Sequence, residues 1–414
     1  MPTKLYLMNM KILSVNKFYY NRGGADKYFI DLSIELEKQG HEVAIFSMHH
    51  PKNLASYYTK YFVSRFSFNE GSKLNFLKAP ARIIYSLEAK RKFKKLVNDF
   101  KPDIIHIHNI YHQISPSILD IASDYKIPVV MHLHDYKLIC PNYQLFVNGK
   151  TCEDCNPKKY CNCIKKKCFK KSLAKSMLAA LEMYIHHSVL KIYEKNINTF
   201  IAPSRFMKEK LISFAWPENK IKVVINPFSS ELLNEGDTQN TQEEDYLLYY
   251  GRLSGEKGLK TLIEAASLTS SSLKFAGVGP EEENLKKLAA SLNVKVDFLG
   301  FKSGEELKSI ILNAKAVVIP SIWYENMPLS LIEALNLGKL VIASNIGGIP
   351  EIIKHEQNGL LFKAGDQNDL ASKIQDLKTI DKIAMKKSAS SSVKEYTMKN
   401  NAEAILKIYQ EILK

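Results

Sequence analysis

Short apolar runs rich in β-branched residues alternate with longer segments of helical period along the whole chain, which restricts it to βα units around parallel sheets. The runs of the first half are residues 11–15, 42–47, 103–108, 128–132 and 199–202; those of the second are 246–250, 273–276, 294–299, 316–319, 340–343 and 359–362. Two α/β sets follow, one per half, as expected of 414 residues, which exceed the size at which one core keeps growing. Residues 229–245 between them are polar and acidic without a period and read as a linker. The expected division is a first domain over 1–228, a second over 229–394, and a final amphipathic helix in 395–414 with Ile405, Ile408, Tyr409 and Ile412 on one face.

Charge separates the halves further. Residues 1–228 hold 36 Lys and Arg against 18 Asp and Glu, whereas the remainder holds 22 against 25. Ten Lys and two acids fall in residues 136–175 alone, a composition suited to an anionic partner. No apolar run approaches the roughly 20 residues of a membrane helix, and the start reads as a first strand, so a cytoplasmic location is expected. The apolar series Leu173, Met177, Leu181 and Ile185 just after the Lys cluster predicts peripheral binding to an anionic membrane surface at its inner face. The alternative is that this helix buries its apolar face on the first sheet.

In open α/β sheets ligands bind beyond the carboxyl ends of the strands. The first strand leads to Gly23 and Gly24 at a helix start, where backbone amides are free to meet a phosphate. The second set opens with Gly251-Arg252-Leu253-Ser254-Gly255-Glu256-Lys257-Gly258, in which Arg252 and Lys257 are able to converge on a diphosphate. Gly277-Val278-Gly279-Pro280 and Gly300-Phe301 follow later strands and either line a nucleoside pocket or are plain tight turns. The sharpest feature runs from Pro320 through Glu325, Asn326, Met327, Pro328 and Leu329 to Glu333. Pro328 suits a first helical turn, so Glu325 precedes the helix beside its positive end and Glu333 lies more than one turn inside it. A carboxylate at Glu333 is able to take a ribose diol, and one at Glu325 is able to bind sugar hydroxyls.

Taken together, Gly23-Gly24, Gly251-Arg252 with Lys257-Gly258, Gly277-Val278-Gly279-Pro280, the Glu-x7-Glu from Glu325 to Glu333, and Gly347-Gly348-Ile349-Pro350-Glu351 resemble the retaining family 4 glycosyltransferases of the GT-B fold over nearly the whole chain. The resemblance implies two Rossmann-like domains facing across a cleft, with the final helix crossing back onto the first. It implies a UDP-sugar or GDP-sugar donor, with Arg252 and Lys257 on the diphosphate, Glu333 on the ribose and Glu325 on the transferred sugar. It further implies Gly24 near the phosphates, His134 as the active-site His, no catalytic metal, and front-face attack with the leaving phosphate as base. Asn326 stands where the family usually has Gly. A saccharide or lipid-linked saccharide acceptor in cell-surface polysaccharide synthesis is the expected partner, with no nucleic acid. A sugar-nucleotide epimerase or phosphorylase on the same fold, or a non-catalytic nucleic-acid-binding protein, are the alternatives.

All six Cys lie between 140 and 168, and a cytosolic Cys-x2-Cys in such a cluster favours metal over disulfide. Some family members carry a similar insertion beginning Cys-Pro-Asn. That likeness implies Cys140, Cys152, Cys155 and Cys168 as ligands of a structural zinc, with Cys161 and Cys163 as alternates. Free thiols and an iron–sulfur cluster remain open. The insertion, 136–172, is expected to form a small basic lobe beside the acceptor entrance and remote from the diphosphate.

Overall fold

The computed structural model describes residues 9–65, 80–228 and 243–414, so most of the expected linker lies outside the described residues. Strands β1 (Lys11–Val15), β2 (Glu42–Phe46), β3 (Ile104–Ile107) and β4 (Val129–His132) belong to the first sheet. A two-residue hairpin, β5 (Phe146–Val147) and β6 (Lys150–Thr151), interrupts it inside the insertion, after which β7 (Thr199–Ala202) and β8 (Ile221–Val223) complete it. The order is β2-β1-β3-β4-β7-β8, every pairing parallel.

The second sheet contains β9 (Tyr246–Tyr250), β10 (Ser272–Ala276), β11 (Val296–Gly300), β12 (Ala316–Ile319), β13 (Val341–Ser344) and β14 (Leu360–Phe362). Its order is β11-β10-β9-β12-β13-β14, again all parallel. Strands such as β3, β4, β12 and β13 are buried at every residue, as they must be when helices cover both faces. Each parallel sheet collects the loops that follow its strands along one edge, where the chemistry is expected.

The helices around the sheets include α1 (Gly24–Lys38), α2 (Leu173–Tyr184), α3 (Arg205–Ser213), α4 (Leu329–Asn336), α5 (Ile349–Ile352) and α6 (Met398–Leu413). Helix α6 leaves the second domain and buries Ala402, Ile405, Leu406, Ile408 and Tyr409 in one cluster with Ile12, Phe29, Leu32 and Val43 of the first. Each large apolar side chain so covered contributes roughly 1.5–3 kcal/mol. Polar contacts fix its register: the Tyr409 hydroxyl bonds His106 Nδ1 at 2.6 Å, and the Tyr28 hydroxyl donates to Asn401 Oδ1 at 2.8 Å. Asn401 Nδ2 donates in turn to the Ile225 carbonyl at 2.8 Å, and the Phe228 amide donates to the Tyr396 carbonyl at 3.0 Å. The two stretches of chain that pass between the domains are therefore bonded to each other.

Tyr409→Ala removes a fully buried ring and leaves His106 without its partner. It is expected to lower unfolding stability by about 3–5 kcal/mol, and Tyr409→Phe by about 1–3 kcal/mol. Urea unfolding followed by far-UV circular dichroism measures both, and parent-like midpoints would show that α6 does not hold the first domain together.

Candidate active site

Glu325 lies on the loop between β12 and α4, and Pro328 occupies the N-cap of α4 with extended backbone. The Glu325 carboxylate is buried, where an isolated charge is untenable. Lys257 Nζ meets it at 2.7 Å and the Ser321 hydroxyl donates to it at 2.6 Å. Burial pushes the Glu325 pKa up, but the ammonium and these hydrogen bonds outweigh it and hold the carboxyl below its ordinary value. Lys257 also lies over the Trp323 ring, 5.1 Å from its centroid.

Two glycines allow the backbones to approach this closely. Gly258 has φ +69°, and a Cβ there would lie 1.9 Å from the Pro320 carbonyl oxygen; at Gly347, φ +64°, a Cβ would lie 2.3 Å from that of Glu325. Gly277 and Gly279 pack on the backbone of Gly251 and Leu253, which joins the loops after β9 and β10. Arg252 is exposed at that junction. Phe301, at the end of edge strand β11, is 75% exposed. Met327 is buried, Leu329 and Glu333 are half-buried on α4, and Glu333 acts on the Tyr250 hydroxyl, which itself donates to the Ser330 carbonyl at 2.6 Å.

The first domain faces these groups. A Cβ on Gly24 would lie 3.1 Å from Leu329 Cδ1, whereas Gly23, at the N-cap of α1, has open space around it. Asn326 Nδ2 donates to the His134 carbonyl at 3.1 Å, so the residue standing in the usual glycine position spans the two domains. His134 Nε2 shares a hydrogen bond with His108 Nδ1 at 2.9 Å. The rings of His108, His132 and His134 stack with centroids 4.8–5.6 Å apart, and His106 continues the pile 4.4 Å from His108. Burial lowers the pKa of all four, to about 3 for His132, so they pack as neutral rings.

Other groups at the crevice carry no motif of their own. Glu351 on α5 accepts from the Arg205 and Phe206 amides at 2.8 and 2.6 Å, so a second-domain carboxylate caps helix α3 of the first. Glu182 is buried between Lys137 at 2.8 Å and His112 at 3.3 Å. Burial raises its pKa, yet those two partners hold the carboxyl far below its ordinary value. Burial raises the Tyr143 pKa, with the Asp135 charge adding to it and Arg252 of the second domain opposing it. Only proximity in the fold reveals these residues; sequence spacing carries no signal for them.

The cysteines depart from expectation. Cys140, Cys152, Cys155, Cys163 and Cys168 line one small cavity with Pro141, Asn142, Phe146 and Val147, and Cys161 alone is exposed outside it. Yet among the described residues no group of three or more His, Cys, Asp or Glu has a metal-holding arrangement, so the four-thiolate zinc site is not supported. The sulfurs turn to separate partners instead: Cys140 Sγ donates to Asn142 Oδ1 at 2.8 Å, Cys163 Sγ donates to the Ser176 carbonyl at 3.9 Å, and Lys166 Nζ donates to Cys152 Sγ at 3.5 Å. Burial pushes Cys140 up to about 11 and raises Cys155, while its bond to Cys168 and burial raise Cys163. Cys168 is lowered, to about 7, first by its bond from Cys163. The lobe also touches the loop that carries Glu325: the Tyr324 hydroxyl donates to Glu153 at 2.8 Å, and Glu153 pairs with Lys210 at 2.7 Å.

Two family models match this chain, "Glycosyltransferase Family 4" over residues 22–232 and "Glycosyl transferases group 1" over 234–395. The chain belongs to glycosyltransferase family 4. This glycosyltransferase is 26% identical to an "Uncharacterized 42.6 kDa protein in cps region" of Klebsiella pneumoniae, over 97% of this chain and 100% of that protein. It is also 26% identical to the N,N'-diacetylbacillosaminyl-diphospho-undecaprenol alpha-1,3-N-acetylgalactosaminyltransferase of Campylobacter jejuni, over 57% of this chain and 66% of that one. The crystal structure of Anabaena Alr3699/HepE in complex with UDP and glucose superposes with a TM-score of 0.67 at 17% identity, over 97% of this chain and 100% of that one. At that identity the likeness is one of fold.

The neutral histidines set a pH dependence. An unfolded His takes up a proton near pH 6.5, whereas His132 in the fold does so near 3 and His186, also buried, near 4. The unfolded glycosyltransferase therefore binds more protons as pH falls below 6.5, and stability is lost from there downward, at up to about 1.4 kcal/mol per pH unit for each such His. Urea midpoints at about pH 7.5 and about pH 5.5 check this, with the lower value expected at the acid pH. Equal midpoints would contradict neutral burial.

Proposed function

We propose that this glycosyltransferase moves a sugar from UDP-sugar or GDP-sugar to a hydroxyl of a lipid-linked saccharide, with retention of anomeric configuration, in cell-surface polysaccharide synthesis. The observation that carries this reading is the buried Lys257–Glu325 pair at the start of α4, bonded through Asn326 to the His134 loop. Glu325 offers an ionised carboxylate for sugar hydroxyls and for positive charge at the anomeric carbon. Lys257 stands between that carboxylate and the place of a diphosphate, where Arg252 and the free amides of α4 stabilise the departing charge. Gly23 and Gly24 close the phosphate side. Glu333 takes the ribose, and Gly277, Gly279, Phe301, Met327, Pro328 and Leu329 shape the nucleoside pocket.

The acceptor hydroxyl comes from the first domain beside His134, and attack occurs on the face from which the diphosphate leaves, whose oxygen takes the proton. UDP in the Anabaena structure supports the donor class, and the diphospho-undecaprenol in the name of the Campylobacter relative supports the acceptor class. A lipid-linked acceptor would bring the enzyme to the inner face of a membrane.

Glu325→Ala, Lys257→Ala and Arg252→Ala are each expected to lower turnover at least tenfold, or about 1.4 kcal/mol of barrier, with folding retained. Glu333→Ala is expected to raise the donor KM more than it lowers kcat. Chelator is expected to leave the rate unchanged. Assays with labelled sugar nucleotides and lipid extract measure these effects, and near-native rates in the first three variants would sink the assignment.

A further inference from the structure

Helix α2 follows the Cys-rich lobe and shows two unlike faces. Ser176, Ala179, Ala180, Glu182 and Met183 are buried, and Ala180 and Met183 pack on Cys155, Tyr160 and Cys163 of the lobe. The opposite face carries Leu173, Met177, Leu181 and Tyr184, which are 50%, 52%, 49% and 54% exposed. Spaced by four, four and three residues, they form a straight stripe of about 16 Å along the helix. Of the expected apolar series, Leu173, Met177 and Leu181 are exposed and only Ile185 is half-buried, so the residues of the other face do the packing. Single exposed apolar side chains are ordinary, but four in register on one helix are not.

Charge surrounds the stripe on one side. Lys165, Lys167, Lys170, Lys171 and Lys175 are exposed, and none has an acidic partner among the described residues. The nearby acids are already engaged: Asp154 by Lys166, Glu153 by Lys210, and Glu182 by Lys137 and His112. The patch thus presents unneutralised positive charge beside an apolar ridge. Nucleic acid would satisfy the lysines and leave the ridge in water. An anionic bilayer satisfies both, because headgroups meet the ammonium groups while the ridge enters the acyl boundary.

We propose that the Leu173, Met177, Leu181 and Tyr184 face of α2, with the flanking lysines, is a docking surface for an anionic lipid bilayer. The position suits the reaction. A small cavity of about 40 Å³ opens beside Lys170 and Lys175, is walled by Ile83, Phe169 and Leu178, and reaches inward to Glu182. Glu182 is bonded to Lys137, three residues beyond His134. That bond ties α2 to the stretch of chain just past His134, beside which the proposed acceptor enters. Such docking deepens the reading of a lipid-linked acceptor and rests on it for the reason the enzyme visits the bilayer.

Sedimentation of the full chain with vesicles of phosphatidylcholine, alone or with phosphatidylglycerol at a third of the lipid, tests the surface without any substrate. Binding is expected only to the anionic vesicles and is expected to weaken with added salt. Each lysine charge reversed is expected to weaken it roughly fivefold or more. Two exposed-face variants, M177E/L181E and K170E/K171E/K175E, are expected to reduce binding at least tenfold while donor hydrolysis and the melting temperature stay at the parent values. Binding that ignores phosphatidylglycerol, or that survives M177E/L181E, would overturn the proposal. So would tight binding to duplex DNA by a parent that leaves vesicles in the supernatant. Transfer to a free saccharide as fast as to a lipid-linked one would instead count against the acceptor reading alone.

Discussion

A carboxylate buried against one ammonium governs the candidate site. Removing Glu325 from water is tolerable only with Lys257 and Ser321 beside it, so the loops after β9 and β12 must meet within hydrogen-bonding distance. That demand explains the glycines around it, since Gly258 and Gly347 lie where any side chain would strike the facing backbone. The pair joins elements 68 residues apart in sequence. Through Asn326, it also fixes where the first domain's His134 loop sits relative to the second.

Behind His134 the first domain carries a different solution to a buried polar group. Four histidines, on two neighbouring strands and just past their ends, are held neutral and piled ring on ring, with Tyr28 and Phe29 packed against them. The pile ends at Tyr409 on one side, and His132 Nε2 bonds Asn226 at 3.1 Å on another. Both contacts belong to chain that passes between the domains. The floor of the crevice and the interdomain crossing therefore share one polar network inside an apolar core.

The parallel-sheet architecture was legible because burial on both faces writes continuous apolar runs into strands such as β3 and β12. Strand β8 escaped notice because Ile221–Val223 is too short to show a period, and the two-residue strands of the hairpin carry none at all. The chemistry of the second domain was readable from local spacing, since Lys257 and Glu325 each sit in a distinctive loop. Contacts made across the crevice were not: nothing near Glu351 announces that it caps α3, and nothing near Glu153 announces Tyr324. The cysteines show the same limit from the other side, because Cys spacing names donor atoms while the fold decides which partner each sulfur meets.

The docking of α6 gives the order of synthesis a structural meaning. Ile12 and Phe29 emerge from the ribosome early, but the side chains that cover them, Ile405 and Tyr409, follow only after the entire second domain. A nascent first domain therefore waits with an open apolar face while its neighbour is made, although domains commonly fold in the order they are translated. Completion of the first domain is thus a late event, and a ribosome that stalls before α6 leaves behind a chain with both sheets encoded and one core uncovered.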